Sequence, residues 1–277
     1  VSSVATAGGA TLPPLLLVGC GKMGGAMLEG WLERGAEQVV VVEPSSEATA
    51  GFAGRVTHCA AVEQIPAGFT PAAMVLAIKP QQADAALPTL SRFAREGALA
   101  VSIMAGKTIA GMTGALGGKA QVVRAMPNTP AAVRQGFTCA FAGPGVNPAQ
   151  RALADELLSA IGETAWLEEE GQLDAVTAVS GGGPAYVFLL AELLEAAAIE
   201  QGLPPALARQ MARRTVAGSG ALLSASQEDA AQLRRNVTSP KGTTERALNV
   251  LMAAEAWPRL MSQAIAAATT RSRELAG

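Results

Sequence analysis

Histidine is almost absent: His58 is the only one in 277 residues. A metal site built on several imidazoles is therefore excluded, and any Ser/His/Asp triad would have to use that one side chain. Charge is scarce as well. Only 16% of residues are charged, 21 basic against 23 acidic for a formal net charge of −2, and no basic block occurs. A nucleic-acid binder would need such a block, and nothing here suggests a membrane-surface anchor. The three cysteines, Cys20, Cys59 and Cys139, are far apart and odd in number. They make neither a Cys-x-x-Cys pair nor a disulfide framework, so a reducing cytoplasm is the expected compartment. Residues 1–14 lack the charged start and long apolar segment of a secretory signal and read as a flexible N-terminal arm. The most apolar helical stretch, 185–199, is interrupted by Glu192 and Glu195. It is too short to span a bilayer comfortably, and no transmembrane segment is expected.

What the chain does have is apolar residues, 49% of the total, enough for one large core or two smaller ones. From residue 15 to about 167, short aliphatic runs (15–18, 39–42, 74–78, 99–103, 122–125) alternate with amphipathic stretches (23–34, 83–95, 108–116, 149–161). That rhythm predicts a Rossmann-type, doubly wound parallel sheet over 15–167. It stops at the polar segment Glu168-Glu169-Glu170-Gly171, and 168–277 reads as an all-α domain. There, Gly181-Gly182-Gly183-Pro184 breaks the chain before a helix expected over 184–201, with Pro184 suited to its first turn. Val187, Leu189, Leu190, Leu193, Leu194 and Ala197 spread round most of that helix. Such a helix must be buried on more than one face, either at the centre of a monomeric bundle or in a dimer interface.

After the first strand comes Gly19-Cys20-Gly21-Lys22-Met23-Gly24, a Gly-x-Gly-x-x-Gly turn opening a helix. Gly19 permits the tight turn, Gly21 lets a pyrophosphate approach the backbone, and Gly24 allows close helix–strand packing, while the helix N-terminus offers free N–H donors. Glu43 ends the next strand, where an acid can accept hydrogen bonds from an adenosine ribose and repel a 2′-phosphate. Two alternatives stay open: Ser45 and Ser46 could bind a phosphate if Glu43 turned away, or Glu43 is a solvated turn residue. Further strand ends carry Ala77-Ile78-Lys79-Pro80, then Ala105-Gly106, then Met126-Pro127-Asn128-Thr129-Pro130, at the edge where doubly wound sheets bind ligands.

These segments together resemble the pyrroline-5-carboxylate reductase family. So do Val179-Ser180-Gly181-Gly182-Gly183-Pro184-Ala185-Tyr186 and Asn236-Val237-Thr238-Ser239-Pro240-Lys241-Gly242-Thr243-Thr244, the most specific of the set. The resemblance keeps its order from about Leu15 to Arg273-Glu274-Leu275. It implies a reductase that transfers hydride from NADPH or NADH to C5 of 1-pyrroline-5-carboxylate, giving L-proline, with no metal. By position, Ser239, Gly242, Thr243 and Thr244 would hold the substrate, Thr244 being the catalytic hydroxyl at the imine nitrogen. Gly19, Gly21, Lys22, Met23, Gly24, Glu43, Ser45, Ala77, Lys79, Pro80 and Ala105 would line the cofactor, with Asn236 near the nicotinamide. The family also implies a homodimer through the helical domain, often assembled further, and no nucleic-acid or membrane partner.

The chemistry agrees with so little charge. A carboxylate at Gly242–Thr244 would meet backbone N–H groups at a helix start, where each hydrogen bond to a charged group contributes about 1.5–3 kcal/mol. A protonated imine is already electrophilic, so orientation and exclusion of water matter more than an ionisable catalyst. The hydroxyl of Thr244 could equally be a helix N-cap. Three departures stand out: Lys241 where relatives have glycine, Gly182 where they have a second serine, and Glu43 in a family in which many members use the phosphorylated cofactor. Lys241 would either assist carboxylate capture or point to solvent. A hydroxy-acid dehydrogenase would need a base near the central glycine turn, and 185–202 contains neither Lys nor His. A non-enzymatic dinucleotide-binding module would leave the Ser239–Thr244 loop unexplained. His58 reads as a surface or turn residue.

Overall fold

The structure, a computed structural model, describes residues 12–276. The runs LLLV and VVVV become β1 (Leu15–Val18) and β2 (Val39–Val42), with every residue buried. A strand apolar on both faces needs helices on both, the arrangement of a parallel sheet. The remaining strands are β3 (Thr57–Cys59), β4 (Ala73–Leu76), β5 (Leu99–Ser102), β6 (Val122–Met126), β7 (Gly136–Ala142) and β8 (Gly162–Trp166), in the spatial order β3-β2-β1-β4-β5-β6-β7-β8. All neighbours run parallel except β6 and β7. Between those two the chain has only 127–135, with a 3₁₀ turn at Thr129–Val133. That is too short for a crossover, so the strand returns antiparallel. The sheet is thus mostly rather than wholly parallel. The strands β3, β7 and β8 are absent from the sequence rhythm because β3 is short and exposed and the others begin on glycine.

Helices α1 (Lys22–Glu33), α2 (Ser46–Thr49), α3 (Ala83–Arg95), α4 (Ile109–Ala115) and α5 (Pro148–Leu158) complete this part. Alternate residues of β1 feed two cores, as the period of two in a strand requires. Leu15 and Leu17 join Trp31 of α1 and Leu157 of α5, while Leu16 joins Leu87, Leu90 and Phe93 of α3. The Trp31 Nε1–H donates to the Leu157 carbonyl at 2.9 Å, so even this buried indole is satisfied. Of the arm expected over 1–14, residues 1–11 lie outside the described residues. The remainder is tied down: Leu12 is buried in the first core, and the Pro14 carbonyl accepts from the Ala72 N–H at 2.8 Å.

The chain divides into two compact units. One reaches to Gly181 and resumes at Thr269; the other is Gly182–Ala268. The division falls after the boundary expected at 167/168, because α6 (Gln172–Val176) and the π-helical turn Thr177–Gly181 belong to the first unit. Leu173 is buried there with Met126 and Cys139.

The second unit holds α7 (Gly183–Glu200), α8 (Pro205–Ala225), α9 (Ala230–Asn236), α10 (Thr243–Leu251) and the start of α11 (Trp257–Ala276). Among the described residues α7 has none buried, and Phe188 and Leu193 are 64% and 56% exposed. The chain by itself therefore does not make α7 the centre of a monomeric bundle. By length and composition alone, Gln172–Glu200 is apolar enough to cross a membrane, with a mean hydropathy of 1.4. The shorter count over 185–199 misses this because the helical run begins earlier.

Candidate active site

The strand order reverses between β1 and β4, and ligands of doubly wound sheets bind in the crevice at that point. The glycine turn leaves β1 there. Gly19 has φ +92°, and a Cβ on it would lie 2.7 Å from the Ala77 carbonyl oxygen. On Gly24 it would lie 2.3 Å from the Gly19 oxygen, whereas Gly21 faces open space. Two glycines are thus fixed by close backbone approach and the third leaves room for a ligand. Gly21 is the N-cap of α1 and makes no side-chain cap, and the first turn holds no acid. Its N–H groups suit a pyrophosphate.

A cleft of about 570 Å³ opens from this turn, lined among others by Gly19, Gly21, Glu43, Ser45, Ala77 and Lys79. A dinucleotide is the ligand these groups fit, because the backbone cradle, free helix N-terminus and neighbouring carboxylate are its pyrophosphate and ribose partners. Of the other expected cofactor residues, Lys22 is exposed at the start of α1, Met23 packs against the first core and Gly24 is buried. Pro80 opens a 3₁₀ turn and Ala105 rests on the Met126–Leu173 cluster; neither lines this cleft.

The Glu43 side chain is held rather than solvated. Its Oε2 accepts from the Cys20 N–H at 2.8 Å and its Oε1 from the Ser45 N–H at 3.0 Å. His58 stands in edge strand β3, exposed, where its Nε2 donates to the Glu43 carbonyl at 2.7 Å. It is a surface residue, as expected, though in a strand instead of a turn. All three cysteines are free and buried. Burial, and secondarily the Glu43 charge, push the Cys20 thiol up to about 11, so it is protonated at neutral pH and no nucleophile. Among the described residues no three His, Cys, Asp or Glu side chains form a group that could hold a metal ion.

In the second unit Ser239 is exposed in the loop before α10, and Thr243 and Thr244 are exposed in the first turn of α10. Gly242, not Thr244, is the N-cap of α10 and makes no side-chain cap, which leaves the Thr244 hydroxyl free of the capping role. The Gly242 N–H donates to the Ser239 carbonyl at 3.0 Å. Lys241 adopts φ +59°, a left-handed conformation that favours glycine, and its N–H donates to Glu245 Oε2 at 2.9 Å. Asn236 ends α9, its amide bonded to Glu228 at 3.0 Å and Gln232 at 2.7 Å.

Two supports are not visible in the sequence. Arg124, whose side chain is 5% exposed, pairs with Glu170 at 2.9 Å, and the same Glu170 oxygen accepts from the Ile109 N–H at 2.8 Å. The segment 168–171, legible only as a polar hinge, thus supplies a half-buried counter-charge to the buried Arg124 of β6. Asn128 of the Met-Pro-Asn-Thr-Pro loop donates to Ser180 Oγ at 3.1 Å and accepts from the Phe137 N–H at 2.9 Å. Its polarity and two flanking prolines signal a rigid loop, but not these partners.

Residues 170–275 match the family model described as pyrroline-5-carboxylate reductase dimerisation, and 15–106 the model described as NADP oxidoreductase coenzyme F420-dependent. The pyrroline-5-carboxylate reductase of Pseudomonas aeruginosa is 38% identical over 266 residues, 95% of this chain and 97% of that protein. Among solved structures, a pyrroline-5-carboxylate reductase from Coxiella burnetii matches with a TM-score of 0.88 at 32% identity, covering 96% of this chain and 99% of that one. The pyrroline carboxylate reductase of Plasmodium falciparum, solved with NADP bound, matches with 0.82 at 26% identity, covering 97% and 100%. With its glycine cradle at the sheet's switch point and relatives that align along nearly its whole length, the chain belongs to the pyrroline-5-carboxylate reductase family.

Proposed function

We propose that this protein is an NAD(P)H-dependent oxidoreductase that reduces 1-pyrroline-5-carboxylate to L-proline, the last step of proline biosynthesis, in the cytoplasm. The observation that carries the reading is the alignment with the Pseudomonas aeruginosa reductase across 97% of that protein. A bound reduced nicotinamide supplies the hydride. The Gly19–Gly24 turn and first turn of α1 hold the pyrophosphate, Lys22 and Lys79 contribute positive charge nearby, and Ala77 flanks the cofactor within the cleft. Pro80, Ala105 and Asn236, outside the cleft, are the proposed neighbours of its nicotinamide end. Ser239 and the N–H groups of Thr243 and Thr244 at the start of α10 bind the substrate carboxylate, with Gly242, whose N–H is given to the Ser239 carbonyl, shaping the loop around it. Hydride reaches C5 of the protonated imine, the C=N bond becomes C–N, and the nitrogen keeps its proton, so no further base is needed. Thr244 hydrogen-bonds that nitrogen and fixes the face of the ring that is attacked.

The protein works as a homodimer joined through Gly182–Ala268, where Val187, Phe188, Leu189 and Leu193 are exposed in the single chain. That burial, rather than a bilayer, accounts for the apolar character of Gln172–Glu200, which carries Glu192 and Glu195.

The test is an absorbance assay of purified protein with pyrroline-5-carboxylate and either NADH or NADPH. Oxidation of one of them is expected; activity with neither overturns the proposal. Thr244→Ala is expected to lower kcat/KM for the pyrroline by about tenfold to a hundredfold, the size of one lost hydrogen bond to a charged group, with cofactor affinity unchanged. Unaltered kinetics would remove Thr244 from the site.

A further inference from the structure

We infer that Glu43 makes the cofactor cleft selective for NADH over NADPH. The inference rests on the proposed reductase reading and names which of its two reductants the chain takes. The carboxylate is pinned from both sides, by the Cys20 N–H at 2.8 Å and the Ser45 N–H at 3.0 Å. Its backbone is pinned too: the Glu43 N–H donates to the Cys59 carbonyl at 2.9 Å, and the Glu43 carbonyl accepts from His58 Nε2 at 2.7 Å. Swinging the acid aside to admit a phosphate would break two charge-assisted hydrogen bonds at once.

What is left for a ligand has one polarity. Each carboxylate oxygen retains a lone pair that can accept from a ribose hydroxyl, whereas a 2′-phosphate brings only acceptors and negative charge. The Ser45 N–H, a donor that a phosphate would need, is already given to Glu43. A second acid, Glu63, lines the same cleft, and among its described lining residues Lys79 is the one cation. Two carboxylates against one ammonium disfavour a dianionic group. For partly screened charges a few ångströms apart, that repulsion corresponds to about tenfold or more in affinity.

The experiment titrates NAD⁺ and NADP⁺ into the purified full-length protein by calorimetry, without substrate, and repeats it with Glu43→Gln, Glu43→Ala and Glu47→Gln. Glutamine keeps the size of the side chain and one acceptor oxygen, so it removes charge with little disturbance, and a melting curve verifies folding. Glu47 is an exposed acid on α2 outside the cleft. NAD⁺ is expected to bind the unaltered protein about tenfold more tightly or better, Glu43→Gln and Glu43→Ala to narrow that ratio by roughly tenfold, and Glu47→Gln to leave it alone. Tighter NADP⁺ binding by the unaltered protein, or a ratio unmoved by both Glu43 variants, overturns the inference. NAD⁺ preference without turnover of the pyrroline would overturn the proposed activity and leave this inference standing; turnover with NADPH preferred does the reverse.

Discussion

The two units bury their apolar residues in opposite ways. In the first, Trp31, Phe93 and the whole of β1 lie within the unit's own cores, and the sheet is covered on both faces. In the second, the only buried apolar residues among those described are Ala208 and Ala212, while Phe188, Leu193, Leu222, Leu260 and Met261 face outward. Both units draw on the same apolar composition. The first spends it within one chain, and the second displays it. With the proposed homodimer, the stability of the first unit is expected to be a unimolecular property and that of the second to depend on protein concentration.

The strongest way to break this contrast is a charge on the displayed surface. Tyr186, Leu189 and Leu193 of α7 and Trp257 and Met261 of α11 line an apolar groove of about 340 Å³. A glutamate at Leu193 would have to be desolvated without a partner wherever a second copy covers it. The expected result of Leu193→Glu is association weakened by roughly a hundredfold or more, since an unpaired buried charge costs several kcal/mol, with turnover lost alongside. Sedimentation velocity over a range of protein concentrations measures it. A variant that stays dimeric would show that α7 faces solvent in the working enzyme.

The complementary change strikes the first unit. Trp31→Ala removes a fully buried indole and leaves the Leu157 carbonyl without its donor, so unfolding free energy is expected to fall by roughly 3–5 kcal/mol. Denaturant unfolding would read this as an earlier midpoint that does not move with protein concentration. A concentration-dependent midpoint would mean that the first unit also relies on assembly.

How far the sequence disclosed each unit follows the same division. Strands such as Leu15–Val18 and Val39–Val42 are legible because burial on both faces forces unbroken aliphatic runs. Thr57–Cys59 is not, since an edge strand of three residues carries no such pattern. The glycine cradle was readable because close backbone approach tolerates no other residue. Its partner groups were only partly so: Glu43 is visible at a strand end, but the two N–H donors that fix its carboxylate come from residues 20 and 45, whose side chains say nothing of it. Glu170 was disguised in the same way. In a run of three glutamates nothing marks the one that turns inward to Arg124. For α7, helical periodicity could say that many faces want covering but not which chain covers them.

The smallest effect is expected at the histidine. His58 is exposed, and its side chain bonds to the Glu43 carbonyl, a main-chain acceptor that water could also satisfy. That acceptor lies on the strand end beside the cleft, so the imidazole supports the position of Glu43 from behind. His58→Ala should cost about 0.5–1 kcal/mol of stability, the net value of a single neutral hydrogen bond. Turnover should stay within a few-fold, because the imine reaches the enzyme already able to accept hydride and no proton has to be delivered by imidazole. The pH profile of kcat should likewise show no inflection that disappears with the histidine. A loss beyond about a hundredfold, several times the value of one such bond, would mean that the imidazole moves a proton in the reaction. The first unit would then carry catalytic chemistry as well as cofactor.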